Sequence, residues 1–143
     1  MKTTARNQFS GRIGTIEAGP ITTQVRLDIQ GGLSIVATLT SSAAQRMNLA
    51  IDQEAIALVK SSAVVLVTDF AGYTLSARNQ FDGTLSRLEQ GEVASLAVLT
   101  LPGGATITAS VTNDAVEALG LAVGQPVTAV FKAYSVMLAV ANR

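Results

Sequence analysis

The segment Ala5-Arg6-Asn7-Gln8-Phe9 recurs as Ala77-Arg78-Asn79-Gln80-Phe81, and a constant offset of 72 positions carries the match to the end of the chain. The same offset takes Gly11 to Gly83, Glu17 to Glu89, Gly31-Gly32 to Gly103-Gly104, Thr40 to Thr112 and Lys60 to Lys132. About 22 of roughly 71 aligned pairs are identical, which marks an internal duplication. A duplicated core needs only apolar side chains of suitable size to persist. Here an Arg, an Asn, a Gln, a Thr and a Lys persist as well, which points to the same polar site in each half.

The duplication divides 143 residues into two units, 1–69 and 73–143, joined by a linker at 70–72. Units of about 70 residues bury little core alone, so the halves are expected to pack against each other or against other chains. Apolar residues make up 48% and charged residues 14%, a balance that favours a compact homo-oligomer. Ten basic and ten acidic residues cancel, and aromatics are 4% with no Trp. A nucleic-acid binder would show a basic footprint and stacking platforms, so no nucleic-acid partner is expected. The chain has neither Cys nor His. That disfavours a metal cation site and removes the usual nucleophile and acid–base side chains, so no catalytic residue is expected. Met1-Lys2-Thr3-Thr4 runs directly into the repeat, with no signal peptide or membrane span in view. A cytoplasmic location with no membrane partner is the expectation.

Each half reads as five short strands and one helix. A first strand runs from Phe9 to near Glu17-Ala18-Gly19; Val25, Leu27 and Ile29 then alternate with Arg26 and Asp28, as in a half-buried strand. Gly31-Gly32 and Pro102-Gly103-Gly104 turn the chain into a third strand. Thr40 is placed to cap a helix from Ser41 to about Leu49, and Thr112 one from Asn113 to about Leu121, with Gly120 near its stop. Strands over Ala55–Lys60 and Ala63–Thr68 follow, matched by Val127–Lys132 and Ser135–Val140. The order β-β-β-α-β-β predicts a mainly β chain of two OB-like five-stranded barrels in tandem, each with one short helix.

The repeated polar residues gather at the ends of these elements. Arg6 and Arg78 stand at the first strand, with Thr4 and Ser76 two residues before them on the same side of an extended chain. Thr40 and Thr112 sit at helix starts, where free N–H groups favour an anion, and Ser41 and Ser42 add hydroxyls. Lys60 and Lys132 close the fourth strand. Nearly all of these groups are donors or cations, and no carboxylate recurs near the set, which disfavours Ca²⁺ and Mg²⁺. The expected ligand is a small, doubly charged oxyanion. Each residue also has a plainer reading: a solvated cation, a helix cap, or, for Asn and Gln, a turn or junction. Their joint retention across diverged halves favours a site, whereas Glu17 and Glu89, in Glu-x-Gly turns, read as structural.

At these positions the chain resembles the Mop (molbindin) family. Thr/Ser-Ala-Arg-Asn-Gln-Phe-x-Gly opens both repeats, Leu119-Gly120-Leu121 follows the second helix with Asn48 in place of Gly in the first, and Lys60-Ser61 and Lys132-Ala133 precede the last strand. The resemblance covers nearly the whole chain, in tandem. It implies a non-catalytic protein that binds molybdate or tungstate as ligand, with no cofactor, in storage or homeostasis. It further implies a homotrimer with sites between subunits or domains. The implied oxyanion-binding residues are Thr4, Ala5, Arg6, Asn7, Thr40, Ser42, Ala43, Lys60 and Ser61, with Ser76, Ala77, Arg78, Asn79, Thr112, Asp114, Ala115, Lys132 and Ala133 as counterparts. Ala43 and Ala115 stand where a related sensor has Ser, so only their backbone N–H could serve. Relatives fused to a DNA-binding or transporter ATPase domain also exist; neither domain is expected here, and no Walker loop occurs. The alternative from another class is an OB-type nucleic-acid or protein-interaction module, which would need a basic, aromatic-lined groove.

Overall fold

The computed structural model describes residues 1–142. The first half holds β1 (Asn7–Ala18), β2 (Thr22–Ile29), β3 (Ser34–Thr40), α1 (Ser41–Arg46), β4 (Glu54–Val59) and β5 (Val65–Val67). The second repeats the order as β6 (Asn79–Gln90), β7 (Ala94–Thr100), β8 (Thr106–Thr112), α2 (Asn113–Leu119), β9 (Pro126–Phe131) and β10 (Met137–Ala139). The fold is therefore mainly β, with two five-stranded antiparallel sheets and two short helices, as the residue pattern predicts.

The strands of β1 and β6 are long because they bend. The ladder of β1 with β2 slips between Ile13 and Thr15, and that of β6 with β7 between Leu85 and Arg87, so each sheet carries a bulge at the same repeat position. Gly11 and Gly83 sit just before it. A Cβ on Gly11 would lie 2.1 Å from the Asp28 carbonyl oxygen, and one on Gly83 2.8 Å from that of Thr100. Only Gly permits that approach of neighbouring strands, which accounts for its retention. The helices end three and two residues earlier than the sequence suggests, at Arg46 and Leu119. Asn48 (φ 52°) and Gly120 (φ 60°) both take the left-handed conformation there. Asn is the side chain that best tolerates it, so the Gly of one repeat and the Asn of the other do the same work.

The fifth strands do not close their own barrels. β5 of the first half pairs with β9 of the second, Leu66 opposite Ala129, and β10 pairs with β4, Leu138 opposite Ala57. The sheet orders are β10-β4-β1-β2-β3 and β5-β9-β6-β7-β8. This corrects the expectation of five strands per half in one barrel. The pattern of residues fixes where a strand lies, but not which equivalent partner it meets, and two similar halves offer two similar partners. The exchange is reciprocal, and buried residues of both halves form one apolar cluster, from Ile13, Val25 and Ile35 to Leu85, Leu99 and Ile107. The connection at Asp69–Gly72 is tight, with Asp69 Oδ1 accepting the Ala71 N–H at 2.8 Å.

Candidate functional site

Several of the retained polar residues are used by the fold itself. Asn79 is buried, and its amide meets both backbone groups of one residue in the other half: Nδ2 donates to the Val36 oxygen and Val36 N–H donates to Oδ1, each at 2.8 Å. Asn7 does the same to Thr108, again with two 2.8 Å bonds. Val36 and Thr108 are themselves equivalent positions. The side chains of Asn7 and Asn79 are therefore committed to holding the halves together, a correction to their expected contact with ligand. Thr40 and Thr112 are helix caps: Oγ1 accepts the N–H of Ala43 at 3.2 Å and of Ala115 at 3.1 Å. Those two N–H groups, expected to face an anion, are occupied within the chain. Ser42 and Asp114 lie exposed in the first helical turns, and the Asp114 carboxylate already complements the helix N-terminus and would repel a second anion.

The helix starts are further pinned to the preceding turn. In the first half Thr23 and Ser41 hydroxyls bond at 2.8 Å and Ser41 Oγ donates to the Gly19 oxygen at 2.6 Å. In the second half Ser95 Oγ donates to Asn113 Oδ1 at 2.5 Å, and Asn113 Nδ2 to the Gly91 oxygen at 2.8 Å. Thr-Ser has become Ser-Asn, with the connection preserved.

The basic residues come together across the repeats. A cleft of about 640 Å³ has Ser76, Ala77, Arg78, Lys132 and Ala133 of the second half on one side, and Gly19, Thr22, Gln24 and Thr38 of the first half on the other. Glu17, Ala18 and Tyr134 complete its lining. Arg78 Nη1 donates to Gln24 Oε1 at 2.9 Å, and Gln24 lies directly opposite Thr38 in the β2–β3 ladder. The expected grouping of Ser76, Arg78 and Lys132 with Thr112 is not what the chain assembles. The exchange of fifth strands sends the turn after Lys132 against β3, so the second-half cations face the first-half sheet. Thr40 is paired with Thr22 at the end of that ladder but does not line the cleft.

Thr4, Ala5, Arg6, Lys60 and Ser61 hold the equivalent places in the first half. The turn Ser61–Ala63 packs on β8, and Asn7, next to Arg6, is bonded to β8 at Thr108. These first-half cations therefore adjoin the second-half sheet, where Gly91, Ala94, Leu96 and Ser110 replace Gly19, Thr22, Gln24 and Thr38.

Arg78 and Lys132 are exposed, as are Arg6 and Lys60. Among the described residues no carboxylate pairs with any of the four; the ion pairs are Arg12–Glu54, Arg26–Asp28 and Arg87–Glu89. An Arg and a Lys facing one cleft, lined by hydroxyls and a Gln, can neutralise a dianion and bond its oxygens. One expectation fails here: Glu17, read as structural, lies in the lining, so a carboxylate does stand near the set. Its retention as Glu89 was the available signal. Gln24, Thr22 and Thr38 carried no such signal, because none recurs. Among the described residues no group of three or more His, Cys, Asp or Glu could hold a metal ion, and no helix is long and apolar enough to cross a membrane.

The chain is similar to known proteins. A "Molybdenum transport protein ModE" of Herbaspirillum seropedicae is 68% identical over 98% of this chain and 52% of its own length. A "Molybdenum-pterin-binding protein MopB" of Rhodobacter capsulatus is 35% identical over 97% of this chain and 52% of its own. The chain thus spans about half the length of the curated relatives it matches. Among solved structures, the cytoplasmic molybdate-binding protein ModG, in a form with molybdate bound, superposes with a TM-score of 0.95 at 40% identity, over 99% of this chain and 100% of that one. The TOBE domain matches residues 3–66 and again residues 75–138, and the chain belongs to that family, carrying the domain twice in tandem.

Proposed function

We propose that this chain binds molybdate as a non-catalytic carrier of the oxyanion, in clefts built from both repeats. One observation carries the reading. Of the polar residues retained in both halves, Asn7 and Asn79 are spent on the fold and Thr40 and Thr112 on helix caps, whereas Arg6, Arg78, Lys60 and Lys132 serve no salt bridge among the described residues. Cations kept twice and, among the described residues, paired with no carboxylate are kept for a ligand. In one cleft Arg78 and Lys132 supply two positive charges, and Ser76, Thr22 and Thr38 supply neutral donors. The two cations match a tetrahedral dianion, and the Glu17 carboxylate in the same lining offsets part of their attraction. The likeness to ModG with molybdate bound supports molybdate among such anions.

Tungstate, of the same charge and shape, occupies the same clefts. The exposed first turns of α1, with Ser42, and of α2, with Asp114, face a neighbouring copy in a homo-oligomer, a homotrimer by resemblance. The role is storage and buffering in the cytoplasm, with no nucleic-acid contact made by these residues.

Equilibrium dialysis of the whole chain against molybdate, read by elemental analysis, tests the proposal. Saturable binding that survives equimolar sulfate and phosphate is expected. Binding no tighter than that of sulfate would overturn it.

A further inference from the structure

The repeat offset gives Arg6 and Lys60 an equivalent position on the second-half sheet, and the two positions differ in what meets the Arg. Gln24 is half-buried on β2, and its Oε1 holds Arg78 through the 2.9 Å bond to Nη1. The repeat offset puts Leu96 at the equivalent place, and Leu offers Arg6 no acceptor. A free Arg has many rotamers, and freezing them opposes binding. An Arg already tethered has been ordered before the ligand arrives. The tether uses one of five guanidinium N–H groups and leaves the others for an anion, while the amide NH₂ of Gln24 remains a neutral donor.

From this geometry we infer that Gln24 is a positioning residue for the oxyanion, preorganising Arg78 in one cleft and having no counterpart in the other. The inference rests on the oxyanion reading above. It assigns to the divergence of Gln24 from Leu96 a difference in affinity between the two sites, which also differ where Ala94 replaces Thr22.

Each cleft is isolated by removing the Arg of the other, and molybdate is titrated by calorimetry. In an Arg6→Ala background, Gln24→Leu weakens the remaining site about fivefold, the cost of ordering one long side chain. Gln24→Leu installs the residue found in the other repeat, so the ligand-free melting temperature should hold. In an Arg78→Ala background, Leu96→Gln tightens the remaining site by a similar factor, whereas Gln24→Leu changes nothing. If the wild-type chain binds molybdate and Gln24→Leu leaves the Arg78 site unchanged, the inference is overturned and the oxyanion reading stands. An equal loss at both sites with a lowered melting temperature makes Gln24 a fold residue and also overturns it. A wild-type chain that binds no molybdate overturns both.

Discussion

Asn79 is 2% exposed, and its side chain joins the two halves through a pair of 2.8 Å bonds to the backbone of Val36. Asn79→Ala removes both bonds and leaves the Val36 N–H and C=O on that face of β3 without these partners. A net hydrogen bond contributes about 1 kcal/mol, and each stranded buried group costs about 1–3 kcal/mol. Val36 is half-buried, so water relieves part of that penalty and the lower end applies. The expected loss is about 3 kcal/mol. For a chain of this size that lowers the melting temperature by roughly 10 °C. Urea unfolding followed by circular dichroism should show the midpoint fall with the slope unchanged, in one transition, because each sheet contains a strand of the other half. Asn79→Asp should be no better, since a carboxylate oxygen then faces the Val36 carbonyl. A loss below about 1 kcal/mol would refute the reasoning, because the clamp would then not be holding the repeats.

Arg6→Ala and Arg78→Ala should each remove a subset of bound molybdate; unchanged stoichiometry in both variants, by dialysis, would sink the site assignment. Glu17→Gln should tighten molybdate binding a few-fold by removing a like charge from the cleft, and more so at low salt, where screening is weak. An effect that does not vary with ionic strength would rule out repulsion as its cause. Tyr73 is 78% exposed beside the linker, so chymotrypsin should nick there first. The two fragments should still co-elute on gel filtration, because β5 stays in the sheet of β9 and β10 in that of β4; fragments that separate would contradict the exchange.

The elements of the fold were legible in the sequence because they rest on local chemistry. Alternation in Val25–Ile29 marks a half-buried strand, Thr40 and Thr112 cap helices, and Asn48 and Gly120 end them at positive φ. The duplication then made the important polar positions visible without any other sequence. What it could not show is which half each of them serves. Asn7 and Asn79 are retained in both repeats just as the cations are, and only the backbone they meet reveals them as clamps. Gln24 and Thr38 were invisible for the opposite reason: they belong to a site made by contact between halves, and each half has filled those positions differently.

The exchange of fifth strands and the composition of the clefts have one cause. Lys132 follows β9, and the chain then leaves that sheet to deliver β10 to β4. The short turn that makes this crossing is the one that lies on β3, so Lys132 and Ala133 are carried to the first-half sheet by the same few residues. Arg78 arrives there from the other end, because Asn79 beside it is fixed to Val36 on that same strand. Two cations distant in sequence therefore meet only when β10 is docked and the Asn79 clamp is made. A ligand held by both contacts binds the assembled pair of repeats and not the separate halves, and so stabilises the assembly by mass action. On this view the polar residues retained in both halves are one device: Asn7 and Asn79 set the distance between repeats, and Arg6, Arg78, Lys60 and Lys132 use it.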